Sequence, residues 1–332
     1  MNIKMIDSFI VLIPFIDFKE ELLRELKFKN ILIAKDLKSI IIIDSSEQRK
    51  SFDFVSSLIW TQDIWLNCNS RTILSINSGI EYLKSFKNRG CYFPAVKSNF
   101  GMNISKQVRN FELKRIVYKI NHDFDFKFTA WLMSENLIFT SENTYKKFPF
   151  GWHEFVEDKE SPPNRAYLKL WELFTAYNIP IHSNDIAIEV GSSPGGWTWV
   201  LSQRLQKVYS IDRAPLADKI NKIKNIEHKN ADAFKLNPTD YTDATWFFSD
   251  LICTPDKIYE MIQYWMSHSK IENFICTIKF KGNCPYQELE KFLVIDHSMI
   301  VHLYHNKNEV TWIRTPRLNK KNILSKNGLI DV

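Results

Sequence analysis

Short apolar runs and amphipathic stretches alternate along most of the chain. "SFIVLIPF" (Ser8–Phe15) is an unbroken apolar run and predicts a strand, while "KEELLRELKF" (Lys19–Phe28) repeats its leucines at helical spacing. "NILIAK" and "SIIIID" predict two further strands, joined by a hairpin turn at Asp36, Leu37 and Lys38. "SFDFVSSLIW" then predicts a helix and "QDIWLNC" a strand. Farther on, "FKFTAWLM" and "NLIFTSE" predict strands. From residue 161 the alternation becomes regular. Ser161 is a candidate helix cap with Pro162 and Pro163 in the first turn, and Tyr167, Leu170, Trp171, Phe174 and Tyr177 form a helical apolar stripe. After it come "IAIEV", "WTWVLSQRL", "VYSID", "NIEHKN", "TWFFSD", "DKIYEMIQYWMSH", "NFICTIKF" and "YQELEKFL", strands and helices in turn. "SMIVHLYH" and "EVTWIRT" close the series, separated only by "NKN".

These patterns predict separate units. The β-α-β-β-α-β order over residues 1–70 suits a ferredoxin-like α+β domain. Alternating β/α with continuous apolar strands over residues 160–316 implies a Rossmann-like, mostly parallel, doubly wound sheet of seven strands. Its last two strands form an antiparallel edge hairpin, the layout of a class I methyltransferase. Residues 71–155 mix basic patches ("LKSFKNRG", "SKQVRNFELKRIVYKIN") with aromatics, which suits either RNA contact or solvated helix faces beside a core. Residues 317–332 form a basic tail expected to fray.

Composition narrows the classes. The 332 residues are 45% hydrophobic and 14% aromatic, enough for real cores, and the net charge of +6 is compatible with a polyanionic partner without requiring one. Five cysteines, none spaced as CxxC, give neither a disulfide framework nor a zinc site, and fit a reducing cytoplasm. The apolar run near the N-terminus is too short for a membrane span. The eight histidines do not cluster at metal spacing, so no metal is expected.

"IEVGSSPGGWTW" (Ile188–Trp199) places three of the nine glycines within six residues, directly after a strand. In an open α/β sheet the first strand-to-helix turn is the usual ligand cradle. No Gly-Lys-Ser/Thr and no GxGxxG is present, so a ligand without a diphosphate is favoured. Asp212 ends the second strand, where an acid can bond both ribose hydroxyls of an adenosine, and Asp232 in "NADAF" can accept from an adenine amino group. Together these describe binding of S-adenosylmethionine.

The loop "VGSSPGGWTWVL" resembles the cofactor loop of the FtsJ-like family of RNA 2′-O-methyltransferases, and the contacts this implies are Gly191, Ser193, Pro194, Gly195, Gly196 and Trp197, with Asp212, Asp232 and Asp250. That family's Lys-Asp-Lys-Glu tetrad falls on Lys169, Asp250, Lys279 and Glu309. "NRAYLKL", "VYSIDRAPLA", "ADAFKL", "YHNKNEVTW" and "VSSLIW" further resemble bacterial 23S rRNA cytidine 2′-O-methyltransferases with ferredoxin-like and THUMP domains. Residues 71–155 are shorter than a full THUMP domain, and Ala166 stands where those relatives tend to have Ser.

What the resemblance implies is methyl transfer to RNA, with rRNA as partner. A ribose hydroxyl needs a base, or a cation that stabilises the developing alkoxide, and Lys279 is the candidate for either role. Asp250 would orient it, and Glu309 would hold Lys169 or the ribose. "NCPY" echoes amino methyltransferases but follows the wrong strand, and neither Cys253 nor Cys284 sits where a carbon-5 methyltransferase nucleophile would. A cap or tRNA ribose methyltransferase, or a non-catalytic RNA-binding protein, would share this fold.

Overall fold

The computed structural model describes residues 9–44, 54, 57–94, 99–119, 127–146 and 148–318. The chain divides between Glu154 and Phe155 into two compact units.

The N-terminal unit opens with β1 (Phe9–Pro14), the helix Lys19–Phe28, β2 (Ile33–Leu37), β3 (Ile40–Asp44) and β4 (Thr61–Thr72). β1 lies between β3 and β4, antiparallel to both, with β2 outside β3. The hairpin turn falls at Lys38–Ser39, later than the pattern predicts. Asp36 and Leu37 stay in the strand because the Lys19 ammonium pairs with the Asp36 carboxylate and donates to the Leu37 carbonyl at 2.7 Å. Of the helix expected over "SFDFVSSLIW", residues 51–53 and 55–56 lie outside the described residues, and residues 57–60 turn instead of continuing a helix. That turn is held by the fully buried Glu25 carboxylate, which accepts the Ile59 amide at 2.8 Å and the Trp60 amide at 3.1 Å. Burial outweighs those bonds and lifts its pKa to about 7.

The helix Ile76–Ser85 follows, its first turn closed by a reciprocal Ser75–Ser78 capping box. Beyond it come β5 (Arg89–Tyr92), the helix Asn99–Ser105, β6 (Phe128–Ser134), β7 (Leu137–Ser141) and the short β8 (Asn143–Thr144). β4 runs past the expected boundary at residue 70 and pairs with β7, so one sheet continues as β2-β3-β1-β4-β7-β6-β5. Trp65, Phe139 and Phe150 pack in the core beneath it.

The C-terminal unit has seven strands: β9 (Ile186–Val190), β10 (Lys207–Asp212), β11 (Ile226–Asn230), β12 (Trp246–Ser249), β13 (Asn273–Lys279), β14 (Ser298–Val301) and β15 (Glu309–Arg314). Their order is β11-β10-β9-β12-β13-β15-β14. β15 alone runs antiparallel to its neighbours and all other pairings are parallel. The chain therefore starts at the centre, winds to one edge, and returns to build the other half. Strand order reverses between β9 and β12, where such sheets bind ligands beyond their carboxyl ends. Among the described residues no helix is long and apolar enough to cross a membrane.

Three local expectations change. The helix carrying the aromatic stripe begins at Tyr167, not after Ser161. Two consecutive prolines disfavour helical backbone in the residues before them, and the Ser161 amide instead bonds Asp158 at 2.8 Å. The closing hairpin is not joined by three residues, because β14 stops at Val301 and residues 302–308 leave the sheet. Last, the start of the basic tail is anchored. Arg317 pairs with the buried Asp185 at 2.7 Å, and Asp185 also accepts from the His182 amide, Thr245 hydroxyl and Trp246 indole.

That hub sits at the end of the sheet opposite the glycine turn. Asp185→Ala leaves a cation and three donors without their acceptor, so a loss of roughly 3 kcal/mol is expected in urea denaturation. Arg317→Ala, removing the more exposed partner, is expected to cost less.

Candidate active site

The four tetrad residues come from four segments. Lys169 projects from the helix Tyr167–Ala176, and Asp250 follows β12, its amide bonded to the Val190 carbonyl at 3.2 Å. Lys279 ends β13 and Glu309 begins β15, and the antiparallel register sets them directly opposite one another. The structure brings all four together. The Lys169 ammonium lies 2.6 Å from Glu309 and 3.2 Å from Asp250, and the Lys279 ammonium lies 2.9 Å from Asp250 and 4.0 Å from Glu309. Lys279 also donates to the Asp250 backbone carbonyl at 2.7 Å, and the Thr277 hydroxyl to its carboxylate at 2.9 Å.

Two cations and two anions make the cluster neutral, which is how a buried set of charges remains tolerable. Burial pulls the Lys169 pKa down, but Asp250 and Glu309 outweigh it and hold it above the ordinary lysine value. Burial likewise opposes ionisation of Asp250, and the two lysines overcome it, keeping its pKa below the usual aspartate value. The lysines differ in access: the Lys169 side chain is 11% exposed and that of Lys279 is 23%. Lys169 is the internal tie, and Lys279 is the group that faces outward.

Beside the tetrad the glycine turn leaves β9. Gly191 has φ +75°, and a Cβ there would stand 2.9 Å from the Leu251 amide nitrogen, so the turn runs against the loop that carries Asp250. Gly195 caps the helix Gly196–Ser202 with φ +111°. Between them the Ser193 hydroxyl donates to the Pro215 carbonyl, and the bond from Ser193 to Pro194 is cis. The Asp212 carboxylate accepts one backbone amide on each oxygen, Ser193 at 2.9 Å and Ala214 at 2.9 Å. A carboxylate offers about four acceptor positions, so two remain for a ligand. Asp232 accepts the Phe234 amide and pairs with the exposed Arg213 at 2.7 Å. Trp197 follows the turn directly: its buried indole donates to the Ala166 carbonyl at 3.0 Å, and the Lys169 ammonium lies over its ring at 6.0 Å.

Two buried acids were missed as site components. Glu189, inside the apolar "IAIEV", takes the Thr198 hydroxyl at 2.6 Å, and burial pushes its pKa up to about 8. Glu172, within "YLKLWELF", accepts backbone amides from residues 304 and 305. An acid in an otherwise apolar run was the available signal in both cases.

A second feature lies in the N-terminal unit. The segment 109–111 bonds along β5, the Phe111 amide reaching the Gly90 carbonyl at 2.7 Å. Next to it is a cleft of about 530 Å³ lined by Arg89, Asn110, Lys114 and Arg115, with Glu112 as the acid among its walls. Arg115 is paired with Glu154 at 2.8 Å.

The C-terminal unit thus has the strand order, reversal point and terminal hairpin of a class I methyltransferase. Within it, residues 162–277 match the FtsJ-like methyltransferase family. The chain is also similar to proteins named ribosomal RNA large subunit methyltransferase M. The one from Shewanella amazonensis is 28% identical over 174 residues, covering 46% of this chain and 48% of that protein. The one from Actinobacillus succinogenes is 29% identical over 167 residues, covering 45% and 46%. That from Halorhodospira halophila is 27% identical over 172 residues, covering 48% and 50%. The matched part spans about half the length of these relatives.

Glu189 generates a pH prediction. The native protein keeps this proton up to about pH 8, whereas the unfolded chain releases it near the ordinary 4.5. Between those values the native state binds more protons, so this group makes stability fall as pH rises. Glu189→Gln, which can still accept from Thr198, should therefore melt higher than wild type at pH 8. The gain should shrink toward zero as the pH drops below 4.5.

Proposed function

We propose that this chain transfers a methyl group from S-adenosylmethionine to a ribose 2′-hydroxyl of RNA, with large-subunit rRNA, at a cytidine, as the substrate. The observation that carries the reading is the closed Lys169–Asp250–Lys279–Glu309 cluster, placed beside a glycine turn whose neighbouring Asp212 keeps acceptor capacity to spare. The names of the relatives support methyl transfer to large-subunit ribosomal RNA.

The residues present fit such a cofactor. Asp212 would hold its ribose hydroxyls, Asp232 its adenine amino group in competition with Arg213, and the backbone at Gly191, Ser193, Pro194, Gly195 and Gly196 its amino-acid end. Bound there, the cofactor supplies an electrophilic methyl group on a sulfonium. The protein's own part is to hold and activate the acceptor. Lys279, fixed by the Asp250 carboxylate and carbonyl, donates to the 2′-oxygen and offsets the negative charge that grows on it as the hydroxyl proton leaves to water and the oxygen takes the methyl group. Asp250 is itself held by Lys169 and Thr277, so Lys279 is oriented before substrate arrives. Glu309 keeps Lys169 in place and lines the acceptor side.

In this reading the N-terminal unit docks RNA, with residues 71–155 as a reduced THUMP-like region beside a ferredoxin-like one. The basic cleft at Arg89 and Lys114 supports that role, since phosphate contacts from Lys and Arg dominate RNA affinity. The free cysteines suit a reducing cytoplasm, where rRNA is modified.

Labelled methyl transfer to rRNA lacking its own modification tests the reaction. Lys279→Ala should lower kcat by about 10²- to 10⁴-fold, the range for a positioned acid-base or oxyanion group, with cofactor affinity by calorimetry unchanged. Equal activity in the variant would remove Lys279 from the centre. Separately, the double variant Arg89→Ala/Lys114→Ala should weaken RNA binding and reduce the slope of log affinity against log salt by about 1 to 2.

A further inference from the structure

We infer that Glu172 is a positioning residue: by holding the 302–308 loop against the helix Tyr167–Ala176, it sets Glu309 opposite Lys169. The inference rests on the tetrad being the reaction centre. Glu172 is 2% exposed and follows Lys169 by three residues, so both side chains leave the same side of the helix. Its two oxygens accept the Tyr304 amide at 2.8 Å and the His305 amide at 3.3 Å.

From there the loop is linked to Glu309 by short steps. The Asn306 amide turns back on the Leu303 carbonyl at 3.0 Å. The Asn306 side chain donates to the Thr311 hydroxyl at 3.2 Å and to the Glu309 carbonyl at 3.4 Å. The His302 ring nitrogen lies 3.0 Å from that same carbonyl, and the Glu309 amide bonds the Lys307 carbonyl at 2.9 Å. One helix therefore presents an anion to the middle of the loop and a cation to the residue that ends it.

Stability alone does not require this arrangement. Burying a carboxylate is costly unless donors surround it, and "SMIVHLYH" has the pattern to continue as strand beside β15. The chain instead gives up that pairing after Val301, and Glu172 receives the amides so released. The result is a Glu309 whose backbone is fixed on both sides.

The test uses Glu172→Gln, which keeps the shape but turns one acceptor into a donor facing an N–H. Hydrogen exchange at the Tyr304 and His305 amides, kcat, KM for RNA and cofactor Kd are measured in wild-type and Glu309→Gln backgrounds. Expected are exchange faster by roughly tenfold at both amides and kcat lower by about tenfold with KM and Kd unchanged. No further loss is expected in the Glu309→Gln background, because a residue acting through Glu309 has nothing left to position. Multiplying losses in the double variant, or unchanged exchange, would overturn the inference. Should Glu172→Gln fold poorly, Asn306→Ala loosens the other end of the loop and is expected to give the same loss of kcat, while full activity would count against it. If wild type methylates no RNA, the reading of the centre fails. The clamp is then judged by exchange alone: faster at both amides upholds it, and no change overturns it.

Discussion

The Lys169 ammonium, buried between Glu309 and Asp250, ties three elements of the C-terminal unit to one point. An isolated buried ammonium would be expelled or neutralised. Two carboxylates can meet it only if the end of β12 and the start of β15 converge on the same helix. Asp250, shared in turn with Lys279 and Thr277, extends the tie to β13. The helix, the parallel half of the sheet and the antiparallel hairpin are thus joined at one neutral cluster, and the joint lies at the carboxyl end of the strands, where ligands enter.

Geometry around the cluster follows from sheet register. Lys279 and Glu309 face each other because β13 and β15 pair end to start. The loop after β12 passes so close to the glycine turn that no side chain fits at Gly191. The glycine turn and the Lys-Asp-Lys-Glu cluster are therefore parts of one corner of the fold. The hub at Asp185 ties the opposite end of the sheet, so each end of the strands has its own polar joint.

Much of this was legible in sequence because strand ends announce themselves. Asp212, Asp250 and Lys279 each follow an apolar run, and a polar residue at that point has few structural reasons to be there. Apolar patterns likewise mark the strands of the C-terminal unit except β11, whose single apolar residue is Ile226. What the pattern missed were polar contacts that override periodicity. "SMIVHLYH" reads as one strand, yet Glu172 captures the Tyr304 and His305 amides and the strand stops at Val301. Ser161 reads as a helix cap, yet the helix starts only at Tyr167, after the Asn164 side chain takes the Ala166 amide at 3.1 Å. Glu172 and Glu189 each stand out as a single acid in an apolar run, a signal that marks a buried polar contact without naming the donor. Arg317 read as part of a free tail, and its partner lies far back in the chain at Asp185.

The atom that receives the methyl group distinguishes ribose chemistry from base chemistry. Mass spectrometry of nucleosides from unmodified large-subunit rRNA, incubated with the protein and labelled S-adenosylmethionine, measures it directly. The account predicts label on a ribose 2′-oxygen, on cytidine. Label on a base would contradict it, since nothing in the Lys-Asp-Lys-Glu cluster is arranged to methylate a ring carbon or nitrogen.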